Sequence, residues 1–211
     1  MKRFFLSLLI TSIAVTTFAA KDYYSVKVYF NSGSVKSGLA TKVENGTDDF
    51  FNFKEHKEAE AEKIASNSVA KIIYTIDSKD YEYVFIKVYK GWKQVEINGP
   101  IWLEIVKKGT AILYVTSTVL SSPGTRSSTG VVLSQGGSAT FYDYYIMRDG
   151  EAAAKAIANI STLNNNQTFR AKAPLYFSDY PELAKKIKDK TYTWKNLEEV
   201  VDIYNEWAAK H

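Results

Sequence analysis

The feature that most constrains the fold is a period-two alternation of apolar and aromatic side chains along the first three quarters of the chain. Residues 24–30 place Tyr24, Val26, Val28 and Phe30 on one side and Ser25, Lys27 and Tyr29 on the other. Residues two apart share a face of an extended strand, so this alternation reads as a strand with one face buried. Residues 81–89 go further. Val84, Ile86 and Val88 alternate with Tyr83, Phe85 and Tyr89. Both faces are apolar, which predicts a central strand covered on both sides. Further strands are expected at residues 35–43, 50–53, 69–76, 101–106, 111–120 and 139–148.

Turn signals separate these runs. Asn31-Ser32-Gly33-Ser34, Asn45-Gly46, Gly91-Trp92, Asn98-Gly99, Lys107-Lys108-Gly109 and Asp149-Gly150 each join short polar or glycine residues between apolar stretches. Residues 54–63 are densely charged and are compatible with a strand edge or a helix, with a solvated surface segment the expected reading. Residues 121–138 carry Ser-Ser-Pro-Gly, Arg-Ser-Ser-Thr-Gly and Gln-Gly-Gly, which predicts a long flexible Ser/Gly insert between two strands. Residues 151–160 are ambiguous: their alanines favour helix, whereas Asp149-Gly150 favours a returning strand.

The pattern then changes. Residues 168–211 are expected to form a helical tail. A weak helix over 169–177 is disturbed by Pro174. Ser178 is the expected cap of a short helix with Pro181 in its first turn. The last helix carries Trp194, Leu197, Val201, Tyr204 and Ala208 at spacings of three or four, with Lys195, Glu198, Glu199 and Asp202 opposite. Such a stripe is made to dock, and the tail's own β-domain is the expected surface. The expected fold class is therefore α+β: a twisted, mostly antiparallel sheet, or a small barrel or sandwich, spanning residues 20–160, with packed C-terminal helices.

The N-terminus carries an address. Lys2 and Arg3 precede an apolar run over residues 4–15, and Thr17-Phe18-Ala19-Ala20 supplies small residues at the spacing signal peptidase uses. The run of about a dozen residues is shorter than the ~20 that span a bilayer. Residues 1–19 are thus expected to be a cleaved signal peptide, and the mature protein to work in the periplasm, extracellularly or at the cell surface, with no membrane span after cleavage. The chain has no cysteine, so it has neither disulfides nor a lipobox thiol, and its fold must rest on apolar burial. Two of the charges behind the formal +4 leave with the leader. The rest of the chain is near neutral and lacks a polybasic stripe, which argues against nucleic-acid binding.

Several chemistries lack their residues. Two histidines, His56 and His211, without spaced partners do not make a zinc site or a Ser-His-Asp triad. No phosphate-binding loop or dinucleotide fingerprint is present, so no cofactor and no metal are expected. Carboxylate pairs at Asp48-Asp49 and Glu198-Glu199, and the cluster over residues 55–62, read as solvated faces. The positive feature is the aromatic load, fifteen tyrosines and four tryptophans. Such side chains offer an apolar face with a polar handle and suit binding surfaces, although tyrosine is also an ordinary strand former. Trp92, beside a turn glycine, and Tyr142, Asp143 and Tyr144, within an aromatic run, are the candidate ligand-binding residues.

The tail segments 176–190 and 197–205, with Tyr180-Pro181-Glu182-Leu183 and Ile187, together with the hairpin Gly33-Ser34-Val35-Lys36-Ser37-Gly38, resemble exported, functionally uncharacterised proteins of Bacteroidota-type bacteria. The resemblance covers about 60 residues and is structural. It implies an envelope location and no reaction, and Tyr180 stands where that pattern would carry cysteine. The expected function is a non-catalytic binding or interaction module of the envelope, its partner an envelope protein or glycan. The alternatives are a β-barrel carrier of an apolar small molecule and a carboxylate-dependent glycan hydrolase.

Overall fold

The computed structural model describes residues 22–43, 48–90, 96–129, 132–160 and 165–211. The expected signal peptide, the Asn45-Gly46 turn and Trp92 lie outside the described residues. Twelve strands are described: β1 (Tyr23–Phe30), β2 (Val35–Thr41), β3 (Phe50–Lys54), β4 (Glu62–Ala65), β5 (Val69–Ile76), β6 (Lys79–Lys90), β7 (Glu96–Lys107), β8 (Ala111–Ser122), β9 (Thr125–Arg126), β10 (Val132–Ser134), β11 (Gly137–Arg148) and β12 (Lys155–Ile160). Three helices close the chain: α1 (Asn165–Tyr176), α2 (Pro181–Lys188) and α3 (Leu197–Ala208). Ten strands form one antiparallel sheet in the order β12-β11-β8-β7-β6-β5-β1-β2-β3-β4.

The sheet is open and bends in opposite senses at its two ends. At the N-terminal end its front face turns inward. Val26, Val28, Ile72, Tyr74 and Tyr83 pack there with Phe51 and Phe53 of β3 and with Trp102 of β7. The fold back of β3 and β4 onto β7 is locked by a buried contact: the Trp102 indole N–H donates to Ser66 Oγ at 2.9 Å, and Phe51 meets the Trp102 ring edge-on at 6.2 Å. Gly38 permits the approach of β3 to β2, since a Cβ there would lie 2.2 Å from the Lys54 carbonyl oxygen. At the other end the back face turns inward. Val88, Leu103, Tyr114 and Ala154 pack together, and Ala154 exchanges two backbone hydrogen bonds of 2.9 Å with Lys87 and Tyr89 of β6. The central strand β6 thus contributes Tyr83 to one core and Val88 to the other, as its doubly apolar pattern predicts.

The helices cover the front face of β8, β11 and β12. Leu113 and Ile146 are buried against Phe169, Phe177, Leu183, Ile187, Leu197, Val200 and Val201. Asn205 of α3 clamps the start of β8, accepting the Ala111 N–H at 2.7 Å and donating to the Ala111 carbonyl at 3.0 Å. The last helix therefore docks on its own β-domain.

Four expectations need correction. The segment 121–138 is partly extended: β8 and β11 run on together to Ser122↔Gly137, and β9 pairs with β10 beyond them. A ladder uses backbone groups, so Ser- and Gly-rich sequence does not stop it once flanking strands fix the register. The expected break at Asn98-Gly99 lies inside β7, where Pro100 sits opposite Lys87 next to a register shift on β6. Such an irregularity accommodates the missing proline N–H. The helical tail starts at Asn165 rather than 168, and α1 runs through Pro174 because Phe169, Ala173 and Phe177 bury one stripe. The cap of α2 is Tyr180, not Ser178, with Pro181 as its first residue. The ambiguous segment 151–160 resolves as strand β12 on β11.

Candidate functional site

Between the N-terminal core and the helix-covered core, the front face of the sheet carries a recess of about 260 Å³. It exists because β7 and β8 separate. Their pairing starts at Glu104↔Val115 and continues toward the connecting turn. Beyond that point no described residue of β7 pairs with β8. The recess occupies this wedge. Its floor is Tyr83 of β6 and Trp102 and Glu104 of β7. Its far wall is Val115, Ser117 and Val119 of β8, with Tyr142 of β11, and Lys42 and Val43 form the near rim.

Register explains why these side chains meet. Tyr83 opposes Glu104, Glu104 opposes Val115, and Ser117 opposes Tyr142, so all point to the same face. The Tyr83 hydroxyl donates to Glu104 Oε2 at 2.9 Å. Burial, and then the adjacent Glu104 carboxylate, push the Tyr83 phenol well above its ordinary range, so it stays a protonated donor. An ionised carboxylate has about four acceptor sites, so one tyrosine bond leaves Glu104 able to accept from a ligand. Tyr142 is 42% exposed and offers a ring to the recess. The arrangement can bind a hydrogen-bond donor next to a flat apolar surface.

The four residues nominated from sequence do not form one site. Tyr142 lines the recess. Tyr144 shares its face but is half-buried against the helical core, and burial raises its phenol. Asp143 points to the opposite face and accepts a hydrogen bond from the Asn159 amide across the β11–β12 pair, a cross-strand structural role. Trp92 lies outside the described residues. The residues that sequence reasoning missed are Tyr83, Trp102 and Glu104. The signal was present in Glu104, the one acid in the apolar run 101–106, two residues from Trp102 and therefore on its face.

A second recess, of about 480 Å³, lies between Asp49, Phe50 and Asn67 on one side and Phe85 and residues 98–101 on the other. Each recess has one carboxylate among its described lining residues. No group of three or more His, Asp or Glu side chains that could hold a metal occurs among the described residues, and no helix among them is long and apolar enough to cross a membrane. No protein-family model, curated protein or solved structure matches the chain.

Proposed function

We propose that this protein is an exported, non-catalytic binding module of the bacterial envelope, and that its ligand sits in the wedge between β7 and β8. The observation that carries this reading is the Tyr83–Glu104 pair on the floor of an open recess walled by the exposed ring of Tyr142. A sugar ring meets both demands: hydroxyls donate to the carboxylate while an apolar ring face lies on the tyrosine. An envelope glycan is thus the favoured ligand class. The two-carboxylate route of glycan hydrolysis, which uses groups ~5–9.5 Å apart, has less support, because Glu104 stands alone among the lining residues. The carrier reading has less support as well, because the sheet is open and both described recesses face solvent.

The test is equilibrium binding of soluble envelope-glycan fragments to the exported protein by calorimetry. Saturable binding, weakened about tenfold or more by Glu104→Gln and by Tyr142→Ala, is the expected result; a tenfold loss corresponds to ~1.4 kcal/mol, about that of one hydrogen bond to a charged group. Binding that is unchanged in both variants would place the ligand elsewhere.

A further inference from the structure

The wedge exposes a strand edge as well as a recess. Strands β8 and β11 continue past the sheet as a two-stranded arm. Pairing extends to Ser122↔Gly137, whereas β12 reaches β11 only from Tyr142 onward. Among the described residues, no strand pairs with the outer edge of Thr116–Ser122. Ser117, Val119, Leu120, Ser121 and Ser122 are exposed, as are Gly137, Ser138, Thr140 and Tyr142. Val119 and Leu120 are 57% and 58% exposed. A two-stranded ribbon standing in water on both faces is marginal, and a third and fourth strand stabilise it.

The two terminal strands of the sheet are protected. The terminal strand β4 is four residues long and charged, with Glu62 paired to Lys36 at 2.6 Å. At the opposite end, β12 is packed against α1. Short, charged or covered edges are how proteins prevent edge-to-edge pairing. Neither segment of the arm, Thr-Ser-Thr-Val-Leu-Ser-Ser at 116–122 or Gly-Ser-Ala-Thr-Phe-Tyr at 137–142, has a charged residue. Its Thr116, Thr118, Val119 and Thr140 are β-branched, which suits strands.

We infer that the free edge of β8 pairs antiparallel with the same edge of a second copy of this chain, joining two arms into one four-stranded sheet. Self-pairing is favoured over a foreign strand by the composition. A two-fold axis sets each residue opposite a residue of the same segment. A charged segment would set like charges near one another, and this one has none. The free segment of seven residues has Val119 at its centre, so the axis falls there and the two Val119 side chains oppose each other. Such an edge is small beside a standard interface of ~1,600 Å², so the dimer is weak and depends on concentration. The paired edge borders the recess, whose wall includes Ser117 and Val119, so a second copy would compete with a ligand there; Glu104→Gln removes the recess carboxylate and leaves the edge intact, so the two readings fail separately.

The chain's lack of cysteine makes a direct test available. Opposed residues of an antiparallel pair have Cα atoms ~4.5–5.5 Å apart, inside the range a disulfide bridges. The protein, purified after export, carries Val119→Cys or, as a control, Ser32→Cys in the exposed β1–β2 turn. Under mild oxidation Val119→Cys forms covalent dimer at least ~10-fold faster than the control, and dilution slows it. Sedimentation of the cysteine-free protein shows a monomer–dimer equilibrium that Val119→Lys abolishes with the circular dichroism unchanged. Equal crosslinking rates, a monomer at every concentration, or a dimer that survives Val119→Lys would each overturn the proposal.

Discussion

The N-terminal lobe and the β8–β11 arm are built from the same kind of alternating strand, yet one is self-sufficient and the other is not. In the lobe, each apolar face finds a partner within the chain. Val28, Phe53, Ile72 and Tyr74 are fully buried, and the Trp102–Ser66 contact ties the last strand of the lobe back to β7. In the arm, Val119 and Leu120 alternate across a ladder of equal regularity and reach solvent. Hydrogen-bond pairing alone does not make a strand a stable part of a core; curvature that brings a second layer over it does. The lobe curls because its β3–β4 hairpin returns over the sheet, whereas no strand or helix among the described residues returns over the arm.

The largest expected break in this contrast is at Trp102. Trp102→Ala empties the junction between β3, β4 and β7 and removes the indole donor to Ser66 Oγ. It should destabilise the protein by ~3–5 kcal/mol, measured by urea unfolding. Next is Asn205→Ala, which removes both hydrogen bonds to Ala111 and loosens α3 from β8. A loss of ~1–3 kcal/mol is expected. Gly109 lies against that clamp, and a Cβ there would come 2.3 Å from Asn205 Nδ2; Gly109→Ala should therefore give a similar loss.

A smaller effect concerns pH. Burial raises the Glu82 carboxyl, but hydrogen bonds from Lys108 and Lys71 outweigh it and hold the group below its ordinary value of 4.5. Its folded-state pKa is depressed, so its contribution is present above pH 4.5 and is lost as pH falls through the lower folded value. Unfolding midpoints measured from pH 6 down to pH 3 should fall less steeply in Glu82→Gln than in the parent. The smallest effect is the most diagnostic. Val119→Lys on the arm should change the stability of the monomer by no more than ~0.5 kcal/mol, since no described contact of the core depends on it. A loss comparable to that of Trp102→Ala would erase the distinction between arm and lobe.

Much of this architecture is legible along the chain because strand periodicity is a local property. The doubly apolar pattern at 81–89 marks the central strand, and the stripe of Leu197, Val201 and Tyr204 marks the docking face of the last helix. The arm was legible as far as Leu120 and Ala139; its last steps, Ser121 and Ser122 against Ser138 and Gly137, were not, since Ser and Gly between residues 121 and 138 carry turn composition while the register that extends β8 and β11 is set by their apolar halves. The site was legible only in part. Tyr142 could be nominated from its aromatic run, but alternation places Asp143 on the other face from its two neighbours, so a compact sequence motif could not be a compact site. Glu104 and Tyr83 are 21 residues apart and meet through the β6–β7 register, which composition does not encode.

The contrast between a self-sufficient lobe and an edge awaiting a strand is tested most directly by residue-resolved hydrogen exchange at two protein concentrations. The account predicts that amides of β1, β5 and β6 exchange slowly and equally at both. Outward amides within Thr116–Ser122 should exchange rapidly when dilute and slow markedly when concentrated. Protection of Thr116–Ser122 equal to that of β5 in dilute protein, or exchange there that ignores concentration, would contradict it.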